Sequence, residues 1–89
     1  MGESVVLRVV VANPNGVHAR PSHAIVSAAR GFAAQVELRC DGRRADARSI
    51  LAVMTLGAAQ GAEVEIHASG ADADAAARRV AELLTSAEA

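Results

Sequence analysis

Two short segments alternate between apolar and polar residues, and a chain of 89 residues has few ways to satisfy both. From Ala34 to Cys40, the residues Ala34, Val36, Leu38 and Cys40 fall on one side, and Gln35, Glu37 and Arg39 on the other. From Glu63 to Ala68 the pattern repeats, with Val64, Ile66 and Ala68 against Glu63, Glu65 and His67. A period of two means a strand with one dry and one wet face. Strands of this kind need cover on one face only. Asp41-Gly42 follows the first of them, and a type I′ turn needs positive φ at both central positions. Arg43–Asp46 then reads as a short return strand whose charges suit an edge. Val5–Val11, β-branched and apolar apart from Arg8, reads as a further strand, largely buried.

The remaining segments supply the cover. Ala19–Arg30 carries helical signals, with Pro21, Ile25, Ala28 and Phe32 spaced as one buried face and Gly31 as a stop. Ser49 is placed to cap a short helix to about Leu56, which Gly57 ends. Gly70, Asp72 and Asp74 introduce a last helix, where negative charge suits the N-terminus. Its stripe is Ala73, Ala76, Ala77, Val80, Leu83 and Leu84. The final residues, 86–89, are expected to fray. The order β-α-β-β-α-β-α predicts an α+β fold: a two-layer open-faced β-sandwich, a four-stranded, mostly antiparallel sheet with three helices on one face. Residues 1–89 are expected to form a single domain.

Composition removes several function classes. The net charge is −1 and there is one aromatic residue, Phe32, so neither a polyanion stripe nor a base-stacking platform is available for nucleic acid. No run of about 20 apolar residues suggests insertion in a membrane, and the N-terminal residues lack the basic start of a signal peptide. Cys40 is the one cysteine, which suits a reducing cytoplasm. No cofactor motif occurs. His18 and His23 are five residues apart and do not share a helical face, so no metal pair is expected.

The informative stretch is Asn15-Gly16-Val17-His18-Ala19-Arg20-Pro21-Ser22. It sets a histidine where a loop enters a helix. The first helical turn presents unpaired N–H groups and a positive dipole end. The dipole and Arg20 both oppose a second positive charge, so His18 is expected to be neutral, outward-facing and nucleophilic. A phosphoryl group carried on that ring would meet the same N–H donors and a guanidinium suited to phosphate oxygens. Gly16 frees the loop backbone. Pro21 is tolerated in the first turn and is expected to push Arg20 away from the α region, leaving an irregular start. The residues alone leave two readings open, a nucleophile or a histidine that merely caps a helix. On the Ser49 helix, Val53 and Leu56 form one side. Ile50, Leu51 and Met54 form another, too far round the axis to share its burial. An exposed apolar cluster of this kind marks a partner surface. Ser49 itself is an N-cap whose position would also favour a phosphate.

With Ala47-Arg48-Ser49-Ile50-Leu51, Met54-Thr55-Leu56-Gly57, Gln60-Gly61-Ala62-Glu63-Val64 and Ser69-Gly70, that stretch closely resembles the HPr phosphocarrier family of the bacterial phosphoenolpyruvate:sugar phosphotransferase system, over nearly the whole chain. The resemblance implies a carrier rather than an enzyme. His18 would take a phosphoryl group on Nδ1 from phosphorylated Enzyme I and hand it to the IIA domains of sugar permeases. Arg20 would hold the phosphate, with Gly16, Ala19 and Pro21 shaping its site. Ile50, Leu51 and Met54 would form the docking surface, and Ser49 would match the target of an HPr kinase/phosphorylase. A monomer is expected. Two departures stand out: His23 replaces a small residue, and the chain has no lysine, leaving Arg30 and Arg48 to supply part of the field around the docking face. A carrier for a nitrogen-regulatory or dihydroxyacetone-phosphorylating branch, and a regulatory binding module, are the alternatives. A regulatory variant is expected to lose the histidine.

Overall fold

The computed structural model describes residues 3–86. Its elements run β1 (Glu3–Val10), α1 (Ala19–Arg30), β2 (Gln35–Cys40), β3 (Arg43–Asp46), α2 (Ile50–Thr55), β4 (Glu63–Gly70) and α3 (Ala73–Thr85). The strands form one sheet in the order β1-β4-β2-β3, and every neighbouring pair is antiparallel. The register explains the alternation. Leu7 lies opposite Ile66, Ile66 opposite Leu38, and Leu38 opposite Ala45, one apolar row crossing all four strands. One residue along, Arg8, Glu65, Arg39 and Arg44 form the matching row on the open face. The tight turn between β2 and β3 has positive φ at both Asp41 (50°) and Gly42 (77°), as type I′ geometry requires.

The helices cover the apolar face. α3 packs on β1, β4 and β2, α1 packs against α3 and α2, and α2 against β3. Ile25, Leu38, Val53, Val64, Ile66 and Val80 are fully enclosed, each contributing about 1.5–3 kcal/mol of hydrophobic stabilisation. The stripe expected for α3 is buried at Ala73, Ala76, Ala77, Val80 and Leu84, with Leu83 at its margin. No helix among the described residues is long and apolar enough to cross a membrane.

Three expectations are corrected. β1 is not largely buried: it is an edge strand, and Val6 and Val10 on the open face are 51% and 54% exposed. An apolar run does not reveal which strand ends at an edge, because strand order is a tertiary property. The buried face of α1 is Ser22, Ile25, Val26 and Ala29; of the expected Pro21, Ile25, Ala28 and Phe32 only Ile25 belongs to it, and the other three are half-buried. Ile25 and Val26 fill that face, and a serine sits beside them. α1 also starts regularly: Arg20 is helical despite preceding Pro21, with Arg20 N–H held by His18 Nδ1 and Ser22 N–H donating to the His18 carbonyl. Gly31 does end α1, but in an ordinary right-handed conformation (φ −80°). The fraying expected at 87–89 lies outside the described residues.

Asp72, expected to serve the start of α3, instead reaches across the fold. Its side chain makes no cap bond to α3. Its two carboxylate oxygens accept the Ala33 and Ala34 N–H groups at 2.9 and 2.7 Å, fastening the connection between α1 and β2. The Ala33 bond, with that from Ala34, holds the Asp72 carboxyl below the usual carboxylate range. A depressed folded-state pKa stabilises the fold above the unfolded value, about 3.9, and that contribution is lost as pH falls through the folded value. Chemical denaturation from pH 7 down to pH 2 is therefore expected to show a stability loss below pH 4 that Asp72→Asn reduces, with the variant less stable than the wild type at pH 7.

Candidate functional site

The loops at one end of the sheet are strapped together by backbone hydrogen bonds. Val11 N–H donates to the Ala62 carbonyl and Gly61 N–H to the Val11 carbonyl, both at 2.9 Å. Further along, Val17 N–H donates to the Ala58 carbonyl at 2.9 Å. The approach is close enough to dictate Gly16. Its φ is +69°, and a Cβ there would stand 2.6 Å from the Ala58 oxygen and 3.0 Å from Ala59 Cα. Asn13 shapes the turn from within. It is buried, its Oδ1 accepts Asn15 N–H at 2.8 Å, and its carbonyl accepts Gly16 N–H at 2.9 Å.

This scaffold delivers His18 to the start of α1. His18 is the last extended residue (φ −91°, ψ −165°) and the helix N-cap. Its Nδ1 accepts Arg20 N–H at 3.4 Å. A nitrogen that accepts such a bond presents its lone pair, so the neutral ring carries its proton on Nε2. The ring is half-buried, with Nε2 enclosed and without a hydrogen-bond partner. The expected outward-facing imidazole is thus half right: the Nδ1 edge lies at the helix N-terminus and the Nε2 edge turns inward. Ala19 and Arg20 are exposed beside it, and Pro21 is partly so. The capping reading is met by Nδ1, the same atom that the nucleophilic reading would require.

α2 bears the second candidate surface. Ser49 Oγ accepts Ala52 N–H at 3.2 Å, the expected N-cap bond. Val53 and Leu56 are buried, while Ile50, Leu51 and Met54 are 39%, 71% and 42% exposed. The two sides of the helical wheel therefore part as the spacing predicts. A shallow groove of about 210 Å³ joins α1 to α2, lined by His23, Val26, Ser27, Arg30 and Ile50. Arg48 does not offer its charge freely: one guanidinium nitrogen donates to the Phe32 carbonyl at 2.7 Å. Arg30 Nη2 lies 3.1 Å from the Arg48 carbonyl, at the edge of this surface.

The other candidates are structural. His67 is half-buried rather than solvated and bonds Glu65 at 2.9 Å. That bond, ahead of the Arg8 charge, holds the Glu65 carboxyl below its ordinary range. Cys40 is buried, and desolvation pushes its thiol pKa up. Among the described residues no group of three side chains could hold a metal ion. Sequence reasoning read a turn at residues 13–16 but missed the burial of Asn13 and the Ala58 carbonyl, since a backbone acceptor from a distant loop leaves no mark in residue type. It also missed that Ser22 is buried.

Gly16 tests whether the strapping positions the histidine. Gly16→Ala is expected to cost about 2 kcal/mol or more, the left-handed penalty plus displacement from Ala58. Gly42→Ala has positive φ but open space around it, so it pays the first cost alone. Denaturation midpoints give the difference, and only Gly16→Ala is expected to shift the His18 backbone amide resonance.

Three comparisons place this geometry among known proteins. The family described as "PTS HPr component phosphorylation site" matches residues 6–86. The phosphocarrier protein HPr of Lysinibacillus sphaericus is 40% identical over 75 residues, 84% of this chain and 85% of that protein. The crystal structure of a phosphocarrier protein HPr from Bacillus anthracis superimposes with a TM-score of 0.87 at 33% identity, covering 91% of this chain and 96% of the other. That of HPr from Thermoanaerobacter tengcongensis gives 0.85 at 31% identity, with 90% of each chain covered. The chain belongs to the HPr family of phosphotransferase-system phosphocarriers.

Proposed function

We propose that His18 is the residue through which this phosphocarrier works. Its Nδ1 accepts a phosphoryl group from phosphorylated Enzyme I, charged in turn by phosphoenolpyruvate, and passes it to the IIA domains of sugar permeases. The observation that carries this reading is the Nδ1 lone pair held at the N-terminus of the twelve-residue α1. Before transfer, the bond from Arg20 N–H holds the Nδ1 lone pair at the positive end of the helix. After transfer the sign reverses, and the new dianion meets the first-turn N–H groups and the Arg20 guanidinium. Gly16, Ala19 and Pro21 shape the approach. The protein supplies a positioned nucleophile, and the partner enzyme supplies the rest of the transition state.

Docking falls to Ile50, Leu51 and Met54, whose exposure supports an apolar contact beside the histidine-bearing helix. Ser49, directly before them, is the proposed target of an HPr kinase/phosphorylase. A phosphate there would add charge to the rim of the docking cluster and weaken the contact with Enzyme I. The chain acts as one domain and as a monomer in the cytoplasm, presenting a single face to successive partners.

Incubation with phosphoenolpyruvate and Enzyme I tests both surfaces. The wild type is expected to gain one acid-labile phosphate by intact mass. His18→Ala gains none and stays folded. Leu51→Asp is fully labelled in the end, but at an initial rate reduced about tenfold or more when the carrier is dilute, and rescued at high carrier concentration. Full labelling of His18→Ala refutes the acceptor; an unchanged rate for Leu51→Asp refutes the docking surface.

A further inference from the structure

Three buried polar atoms at the junction that carries His18 have no hydrogen-bond partner: Asn13 Nδ2, His18 Nε2 and Ser22 Oγ. Two of them are donors and one can accept. His18 Nε2 carries the ring proton, because Nδ1 accepts Arg20 N–H, so it needs an acceptor. The Asn13 amide is oriented by its Oδ1, which accepts Asn15 N–H, so its Nδ2 can only donate. The Ser22 hydroxyl is the acceptor of the three. It follows His18 by four residues and donates its backbone N–H to the His18 carbonyl at 3.0 Å, which places it one turn along from the histidine. Ser22 is also 0% exposed, on a face otherwise lined by Ile25, Val26 and Ala29. A hydroxyl buried there without a partner costs stability that alanine would avoid.

We propose that Ser22 is a positioning residue for phosphoryl transfer, its Oγ accepting the Nε2–H of His18 when the ring is loaded. The inference rests on His18 being the acceptor. As Nδ1 gives its lone pair to phosphorus, the donor's bond to phosphorus breaks and that electron pair stays with the donor. Nε2 keeps its proton, the ring becomes cationic, and Nε2–H becomes a stronger donor. Arg20 N–H, no longer held by the Nδ1 lone pair, turns to a phosphate oxygen. This frees the ring to rotate and seat Nε2–H on the hydroxyl one turn away. Ser22 thereby stabilises the positive charge that builds on the ring during transfer.

Ser22→Ala and Ser22→Cys test this in the full chain, the second keeping side-chain volume while offering a poor acceptor. Both are expected to accept the phosphoryl group from phosphorylated Enzyme I roughly two- to tenfold more slowly than the wild type. In proton NMR of the phosphorylated protein, the ring Nε2–H is expected as a downfield, exchange-protected resonance in the wild type. Both variants shift it upfield or lose it. Transfer at the wild-type rate with an unmoved ring resonance in either folded variant overturns the proposal. If the wild type itself fails to load on His18, the acceptor assignment fails instead, and the two failures are told apart by where, and whether, phosphate is found.

Discussion

The bond from Arg20 N–H to His18 Nδ1 joins the stability of α1 to the chemistry of the site. A helix N-terminus needs acceptors for its first N–H groups. Here the acceptor is an imidazole nitrogen rather than the oxygen of a serine or aspartate. That choice aims the Nδ1 lone pair at the positive end of the helix. It also makes the cap exchangeable. On the proposed mechanism, once the lone pair is spent on phosphorus, phosphate oxygens would accept the same N–H groups and cap α1 in its place.

The rest of the molecule holds that nitrogen in place. The one-sided sheet fixes β1 beside β4, and the loops that leave them run together from Val11 to Val17 and from Ala58 to Ala62. The Ala58 carbonyl accepts Val17 N–H and leaves no room for a side chain at Gly16. At the opposite end of α1, the Asp72 carboxylate and the Arg48 guanidinium grip the turn between Phe32 and Ala34. The helix that carries the histidine is thus anchored at both ends by contacts distant in sequence. The histidine lies beside solvent without depending on a mobile loop.

Much of this was legible in the residues, for identifiable reasons. The alternation of β2 and β4 is dictated by a sheet with one covered face, and Asp41-Gly42 by the turn it makes. Ile50, Leu51 and Met54 separate from Val53 and Leu56 because a six-residue helix against one layer buries one stripe. Hidden features depended on tertiary placement. Nothing in Val5–Val11 says that β1 lies at an edge. Asp72 looks like a helix-start residue, and its real partners lie 38 and 39 residues earlier. Nothing in the residue itself says that Ser22 faces the core. Local helix physics marked His18 at the loop–helix junction as a candidate but left cap and nucleophile open, and it was the resemblance to the HPr family that pointed to the nucleophile.

Nδ1, and not Nε2, is the proposed working atom, since one lies at the helix N-terminus and the other is enclosed. Nitrogen-15 labelling of the histidine rings, followed by phosphorylation and measurement of the phosphorus–nitrogen coupling, identifies the nitrogen that holds phosphorus. The account predicts coupling to Nδ1 of His18 alone. Phosphorus on Nε2 of His18, or on His23 or His67, would contradict it.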